Sequence, residues 1–512
     1  MLLASVFVIA VCGLVYELLA GTLSSYLLGS SVTQFSLVIG IFLSAMGIGS
    51  FLSRFVRREL TRTFLIVEIL IGLVGGFSAL TLFTAFATIG GYKVLLISFS
   101  VVIGTLVGLE IPLLIRIMRG QLSLRTVASN VLAVDYIGAL AASLLFPLLL
   151  VPYLGLVRTG FLFGLLNVIV ALFGLHVLGR KVRGAASLRL SAGFVGVLMI
   201  AGLISAGFTT RWLEDMLYDD EIVYAKTTPF QRLIITRWRG DFRLFINGNI
   251  QFSTVDEYRY HESLVHPVMG LSRTPRNVLM LGGGDGMAAR EVFKHRGVES
   301  LTLVDLDPAM TRIFRDIEPL ARLNKRALHD KRLHIVNTDA MKFLERDNKR
   351  YDVIIIDLPD PNNEALGKLY SRSFYRLVAK HLAPTGVMVT QATSPYYATN
   401  AFWCINNTIA DSSISSAGGK LQALPYHANV PSFGDWGFVL ASFRPLRAGD
   451  IKLDPKALGT RYLTRPQLDA LFVFAKDIGP RPTPINRLDN QVLLRLYERG
   501  YQRFNGQGKQ KK

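Results

Sequence analysis

The sequence predicts two fold classes in series: a multi-span α-helical membrane half, then a doubly wound α/β half preceded by a small antiparallel β-sheet. Three observations predict it. Seven long apolar stretches fill the chain up to residue 207. Charge and turn residues rise sharply after that point. Four acids, Asp285, Asp305, Asp339 and Asp357, each follow a run that reads as a strand.

The apolar stretches cover approximately 1–20, 33–53, 64–88, 94–115, 127–153, 157–178 and 188–207, which makes 1–207 a seven-span domain. The first is no simple secretory signal, since it lacks a basic leading segment and six more spans follow. Small residues such as Gly40, Gly47, Gly49, Gly138, Ala139, Ala141 and Ala142 recur inside the spans, where they let helices approach closely. Glu17, Glu68, Glu110 and Asp135 lie within or near the spans. Two readings of them stay open: structural pairing, with each other or with Arg116, or a site for a cation.

The net charge of +19 does not mark a nucleic-acid binder, because it splits into +8 up to residue 206 and +11 beyond, with no basic block interleaved with aromatics. Cys12 and Cys404 lie too far apart in sequence and setting to suggest a disulfide framework. Basic residues concentrate in loops 54–63, 116–126 and 180–189, while the opposite loops carry only Lys93 and Arg158. The positive-inside rule puts the three basic loops in the cytoplasm and the second half of the chain outside it. Long domains do not count in that rule, so the charge of the second half does not settle its side. The predicted location is the cell membrane, with the side of the soluble half open.

Residues 208–255 form the small β domain. Pro229–Trp238 and Asp241–Ile246 read as strands, and Asn247-Gly248 is a strong hairpin turn. A helix is expected over Asp256–Met269, opening a domain at 256–504. Its strands are Asn277–Leu281, Leu301–Val304, Arg332–Asn337, Asp352–Ile356, Gly386–Gln391 and Gly437–Ser442. The tail 505–512 is polar and expected to be disordered.

In an open α/β sheet, ligands bind outside the carboxyl ends of the strands. Four carboxylates there attract a cation and repel a pyrophosphate, which points to a sulfonium nucleoside and an amine and away from NAD. The first strand leads into Gly282-Gly283-Gly284-Asp285-Gly286, whose glycines allow a tight turn, followed by a helix over Ala288–Lys294. Its spacing is not the dinucleotide fingerprint. Asp305 suits the hydroxyls of a ribose, while Asp307 before Pro308 suits a helix cap. Asp339 suits an adenine amino group, with a helix N-cap as the alternative role. Asp357-Leu358-Pro359-Asp360-Pro361 holds two acids in a proline-stiffened loop, a candidate acid/base and amine-binding pair. An alkylammonium cannot attack carbon until it loses a proton. Asp357 can take that proton while Asp360 keeps the far end charged and fixed.

These motifs, with TPFQRLIITR, NGNIQFSTVDEYRYHESLVHP, VLMLGGGDGMAAREVFKH, NTDAMKFL, GVMVTQATSP, PSFGDWGF and RYLT, resemble the polyamine aminopropyltransferases, the spermidine synthase family, over residues 218–500. The resemblance implies a class I methyltransferase-like Rossmann domain. It implies transfer of an aminopropyl group from decarboxylated S-adenosylmethionine to a di- or polyamine, putrescine to spermidine first among them, with release of methylthioadenosine. The nucleoside is a co-substrate, and neither a permanent cofactor nor a metal is implied. Gln231, Asp305, Asp339, Ala340, Gly282 and Gly284 match nucleoside-binding positions. His261, Asp285, Asp360, Tyr260, Gln391 and Gln251 match amine-side positions, and Asp357 matches the catalytic base. Partners are then the two substrates and the lipid bilayer, with a homodimer through the soluble domain. Met287 stands where a small residue is usual, Asp305 where Glu is usual, and Asn363-Glu364 where Gly-Pro is usual. Two other functions fit parts of the pattern: an S-adenosylmethionine-dependent methyltransferase, and a membrane transporter or sensor with a non-catalytic polyamine- or nucleoside-binding domain.

Overall fold

The computed structural model describes residues 2–28, 31–88, 91–118, 123–178, 182–218, 220–414 and 419–505. The chain divides into two compact units, Met1–Glu221 and Ile222–Lys512. The predicted disordered tail lies outside the described residues, except Asn505, which ends the last helix.

The first unit contains α1 (Leu2–Leu28), α2 (Ser31–Leu52), α3 (Leu60–Thr88), α4 (Tyr92–Met118), α5 (Leu124–Leu145), α6 (Gly155–Leu178) and α7 (Ala185–Leu217). Among the described residues, six helical stretches are long and apolar enough to cross a membrane, one fewer than the spans expected from the sequence. The difference lies at Leu124–Leu178, a 55-residue stretch that takes in two expected spans. A π-helical segment, Phe146–Leu154, joins α5 to α6 without a polar loop. A straight helix of that length would run about 80 Å, against roughly 30 Å for a bilayer core. Gly155, at φ +76° and ψ 171°, leaves the helical path there. Small residues set the packing of α2 on α4: a Cβ at Gly108 would stand 2.1 Å from the Met46 carbonyl oxygen. Of the glycines singled out in sequence, Gly40 and Gly47 face open space instead.

The second unit begins with an antiparallel sheet of β1 (Glu221–Thr227), β2 (Arg232–Trp238), β3 (Asp241–Ile246) and β4 (Asn249–Ser253), in that order. Asn247 and Gly248 both take positive φ, as their hairpin turn requires. Helix α8 (Glu257–Leu271) follows. Then come β5 (Asn277–Gly282), α9 (Met287–Val292), β6 (Ser300–Asp305), α10 (Pro308–Asp316), α11 (Glu318–Leu323), β7 (Leu333–Asn337), α12 (Ala340–Arg346) and β8 (Tyr351–Asp357). The rest is α13 (Glu364–Gly367), α14 (Arg372–His381), β9 (Leu382–Gln391), α15 (Thr399–Ala410), a short hairpin of β10 (Ser413–Ile414) and β11 (Gly419–Lys420), β12 (Gln422–Val430), β13 (Gly434–Ser442), α16 (Pro455–Leu458), α17 (Arg465–Ala470) and α18 (Val492–Asn505).

Seven strands form one Rossmann-like sheet in the order β12-β13-β9-β8-β5-β6-β7. The five from β9 to β7 are parallel, and β13 and β12 add antiparallel at one edge. Val353–Ile356 of β8 is fully buried, as an all-apolar strand must be when helices cover both faces. Val278 and Met280 of β5 pack on one face and Leu279 and Leu281 on the other. Strand β12 is not legible in sequence, because Pro425 and polar residues break its alternation; an edge strand tolerates them.

The chain leaves β5 toward β6 and β7, then returns to β8 on the other side of β5. The order of strands therefore reverses between β5 and β8, where an open sheet forms its crevice. There Gly282 is paired in register with Asp357.

Candidate active site

The glycine loop is shaped by two close approaches. Gly282 takes φ +88°, and a Cβ on it would stand 2.0 Å from the carbonyl oxygen of Asp357. A Cβ on Gly284 would stand 2.4 Å from Oδ2 of Asp305. The loop thus carries the ends of β6 and β8 against it, and the spacing of its glycines follows from those contacts.

Asp305 accepts from the backbone N–H of Gly284 at 3.1 Å and of Asp307 at 2.9 Å. Burial pushes its carboxyl up to about 7, helped by the charges of Asp285 and Asp307 and opposed by those two amides. Asp307 caps α10, accepting from Ala309 N–H at 2.9 Å, as its place before Pro308 predicts. Its Oδ2 also accepts from Gln231 Nε2 at 3.1 Å and from Thr228 Oγ1 at 2.7 Å. Gln231 therefore stands beside the Asp305 turn, held there by Asp307.

Asp339 takes the capping alternative. Its Oδ1 accepts from Met341 and Lys342 N–H at 2.9 and 3.0 Å, and its Oδ2 pairs with Lys368 at 2.9 Å. Those contacts outweigh burial and hold its carboxyl below the usual range. Ala340 begins the helix that Asp339 caps.

The pair Asp357 and Asp360 is different in kind. Asp357, at the end of β8, accepts a 2.6 Å hydrogen bond from Tyr260 Oη of α8. Burial raises its carboxyl to about 6; Asp285 adds to this, while His261 and the Tyr260 hydroxyl oppose it. Asp360 accepts from Thr393 Oγ1 at 3.0 Å, and its Oδ1 is buried with no hydrogen-bond partner. Burial raises it too to about 6, against the hydroxyls of Thr393 and Tyr497 and the amide of Gln391. A buried acceptor left open in this way favours a donor from a ligand. Among the described residues no group of three or more His, Cys, Asp or Glu side chains is placed to hold a metal ion.

His261 and Asp285 lie near enough for the charge of each to act on the other. Asp285 itself accepts from Met287 N–H at 2.8 Å. Burial raises its carboxyl, against the charge of His261. His261 Nδ1 lies 2.7 Å from Glu257 Oε2. Burial would lower the imidazole, but Glu257, then Asp285 and Asp357, raise it above its ordinary value.

Two residues expected at the amine serve other contacts. Gln391 donates to the Leu358 carbonyl at 2.6 Å and to the Tyr370 hydroxyl, and accepts from Thr393 N–H at 3.0 Å. Its amide is thereby committed to bracing the loop between the two acids. Gln251 donates to its neighbouring carbonyls, Asn249 and Ile250, at 3.1 and 3.3 Å, and among the described residues no hydrogen bond joins it to the acids.

Other members of the site were not legible in sequence. Arg290 grips Glu257 with two bonds of 3.0 and 2.9 Å, so Arg290, Glu257 and His261 form one buried relay. Thr393 reaches Asp360 from a backbone at φ +59°, which a β-branched residue rarely adopts. Glu262 gathers the amides of Arg461, Tyr462 and Leu463 at 2.6, 2.9 and 3.0 Å, tying the RYLT segment to α8.

The Spermine/spermidine synthase domain family matches residues 257–451. A polyamine aminopropyltransferase of Leptospira interrogans is 48% identical over 501 residues, covering 98% of each chain. Polyamine aminopropyltransferase 2 of Ralstonia nicotianae is 48% identical, covering 97% of each. A crystal structure of spermidine synthase with the transition-state analogue AdoDATO is 24% identical, covers 50% of this chain and 88% of its own, and has a TM-score of 0.45. The near full-length identity to these relatives shows that the chain is an enzyme of the polyamine aminopropyltransferase family.

Proposed function

We propose that the enzyme moves the aminopropyl group of decarboxylated S-adenosylmethionine onto a primary amine of a di- or polyamine, putrescine to spermidine in the first instance, and releases methylthioadenosine. The observation that carries this reading is the pair Asp357 and Asp360, two half-buried acids three residues apart and in no ion pair among the described residues. Asp357 takes a proton from the attacking ammonium. The freed nitrogen lone pair attacks the carbon next to sulfur, the C–S bond breaks, and its electrons neutralise the sulfonium. The leaving group needs no acid. Asp360 holds the distal ammonium through its open Oδ1, so both reactants are positioned before the proton moves.

Asp305, Gln231, Gly282 and Gly284 border the nucleoside in this reading, with Asp339 and Ala340 at the adenine end. His261, Asp285 and Tyr260 border the amine. The seven expected spans tether the catalytic unit to the cell membrane, and the outer surface of the first unit supports this with exposed Leu43, Tyr153, Phe194 and Ile204. Pairing through the soluble unit gives a homodimer. The test is an assay of the purified full chain with decarboxylated and ordinary S-adenosylmethionine across a panel of amines. Methylthioadenosine release with only the decarboxylated donor is expected. Transfer of a methyl group from the ordinary donor would overturn the reading in favour of a methyltransferase. Fusions of the C-terminus to alkaline phosphatase and to a fluorescent protein report the side of the membrane, and phosphatase activity is expected from the loop charges.

A further inference from the structure

Helices of the first unit bring several hydrogen-bond acceptors together away from water. Glu68 of α3 is 0% exposed and Glu110 of α4 is 2% exposed. Their carboxyl groups lie within hydrogen-bonding reach of each other, and Asp135 of α5 is close enough for its charge to act on Glu110. The flanking side chains show the same convergence, since Cys12, Tyr16, Val67, Ile71 and Val107 pack as one cluster. A Cβ on Gly75 would stand 2.5 Å from the Tyr16 ring, so α3 admits that ring only through a glycine. Tyr16 Oη accepts from Asn167 Nδ2 of α6 at 3.1 Å and lies in the field of both acids.

Among the described residues no cation balances this set. Apart from the Glu110 carboxyl, neither oxygen of Glu68 has a hydrogen-bond partner, and neither does Oδ1 of Asn167, a side chain that is 0% exposed. Arg116, the cation the sequence offered, donates instead to the carbonyls of Ser53 and Val56 at 2.9 and 2.6 Å. Among the described residues, neither Glu68 nor Glu110 is in an ion pair. Acceptors buried with no donor and no countercharge are costly, and the cost is relieved by a ligand that brings both. A metal ion would ask for a denser cage, and no group of three or more His, Cys, Asp or Glu among the described residues is placed to hold one. A primary ammonium brings one charge and three N–H donors, which suits two carboxyls and an amide oxygen.

We propose that the membrane unit holds a second, non-catalytic site in which Glu68 and Glu110, with Asn167 and Tyr16, bind a primary alkylammonium such as one end of a polyamine. Binding displaces a proton from the carboxyl pair to solvent, so the charge inside the bundle stays balanced. The site belongs to the first unit alone and does not rest on the proposed function.

Equilibrium dialysis of the full chain in nanodiscs with radiolabelled spermidine tests this. Glu68→Gln keeps the shape and removes the charge. The expected result is loss of a full equivalent of bound spermidine, with methylthioadenosine release unchanged. Equal spermidine binding by the wild type and Glu68→Gln overturns the proposal. Should the variant not fold, the wild type still decides. A hydrophobic carbodiimide labels buried protonated carboxyls, and spermidine is expected to cut labelling of Glu68 and Glu110 at least fivefold, where sodium chloride at equal ionic strength does not. Labelling that spermidine leaves unchanged overturns the proposal. Failure here would leave methylthioadenosine release intact, whereas failure of the proposed function would abolish that release and spare this site.

Discussion

Tyr260 donates a 2.6 Å hydrogen bond from α8 to Oδ1 of Asp357 at the end of β8. A bond to the carboxylate favours its ionised form, so the tyrosine holds down a carboxyl that burial pushes up. Tyr260→Phe should therefore move the acid limb of the pH–rate profile upward, by about half to one pH unit. Turnover near pH 8 should fall less than about tenfold. An unmoved acid limb would show that this bond does not tune the base.

Asp357→Asn should cut turnover by about 10²–10⁴-fold, the usual worth of a positioned base. Donor binding, followed by calorimetry, should change little. Near-normal turnover would place the base elsewhere.

The wild-type acid limb follows from two raised carboxyls. Asp357 and Asp360 both sit near 6, and in the proposed reaction both must be ionised, one to accept a proton and one to hold an ammonium. The activity is lost as pH falls through that value, and kcat/KM for the amine should drop more steeply than one proton allows. The kcat limb should lie at lower pH, because a bound cation favours both carboxylates. A single-proton limb centred near 4 would contradict this.

Asp305→Ala should weaken donor and methylthioadenosine binding far more than amine binding, since it also frees the amides of Gly284 and Asp307. Equal losses of both ligands in separate titrations would remove Asp305 from the nucleoside side.

Glu257→Gln should destabilise the soluble unit strongly, by about 3–5 kcal/mol, because it leaves Arg290 buried with half its partners. In the wild type the Glu257 carboxyl is depressed to about 2 by His261 and Arg290 against the effect of burial. Its contribution is fully present above its ordinary value of 4.5 and is lost as pH falls from there toward 2. Chemical denaturation across that range should show the loss in the wild type and a flatter profile in the variant.

The acids of the site were legible because each ends a strand or sits in the loop just after one, and strand ends at a sheet's switch point converge whatever the helices do. Asp285, Asp305, Asp357 and Asp360 could be read that way. Asp339 could not be assigned, since a helix cap and an adenine contact ask for the same residue at the same place. The Arg290–Glu257 grip spans 33 residues of sequence and leaves no local trace. Gln391 is legible as the end of a strand, but its amide's bond to the Leu358 carbonyl, 33 residues away, leaves no local trace. In the first unit, apolar length identified the helices, while the unbroken run through Phe146–Leu154 hid from a reading that looks for polar loops.

The register of Gly282 on Asp357 has a consequence for anyone redesigning the enzyme. With no room for a methyl group between them, the backbone of the glycine loop and that of the acid-bearing strand are in contact. A graft that imports one without the other would displace both. On the proposed assignment, donor preference and amine chemistry are inherited as a single cassette, and libraries aimed at new acceptors should vary the walls around Asp360 while leaving this seam intact.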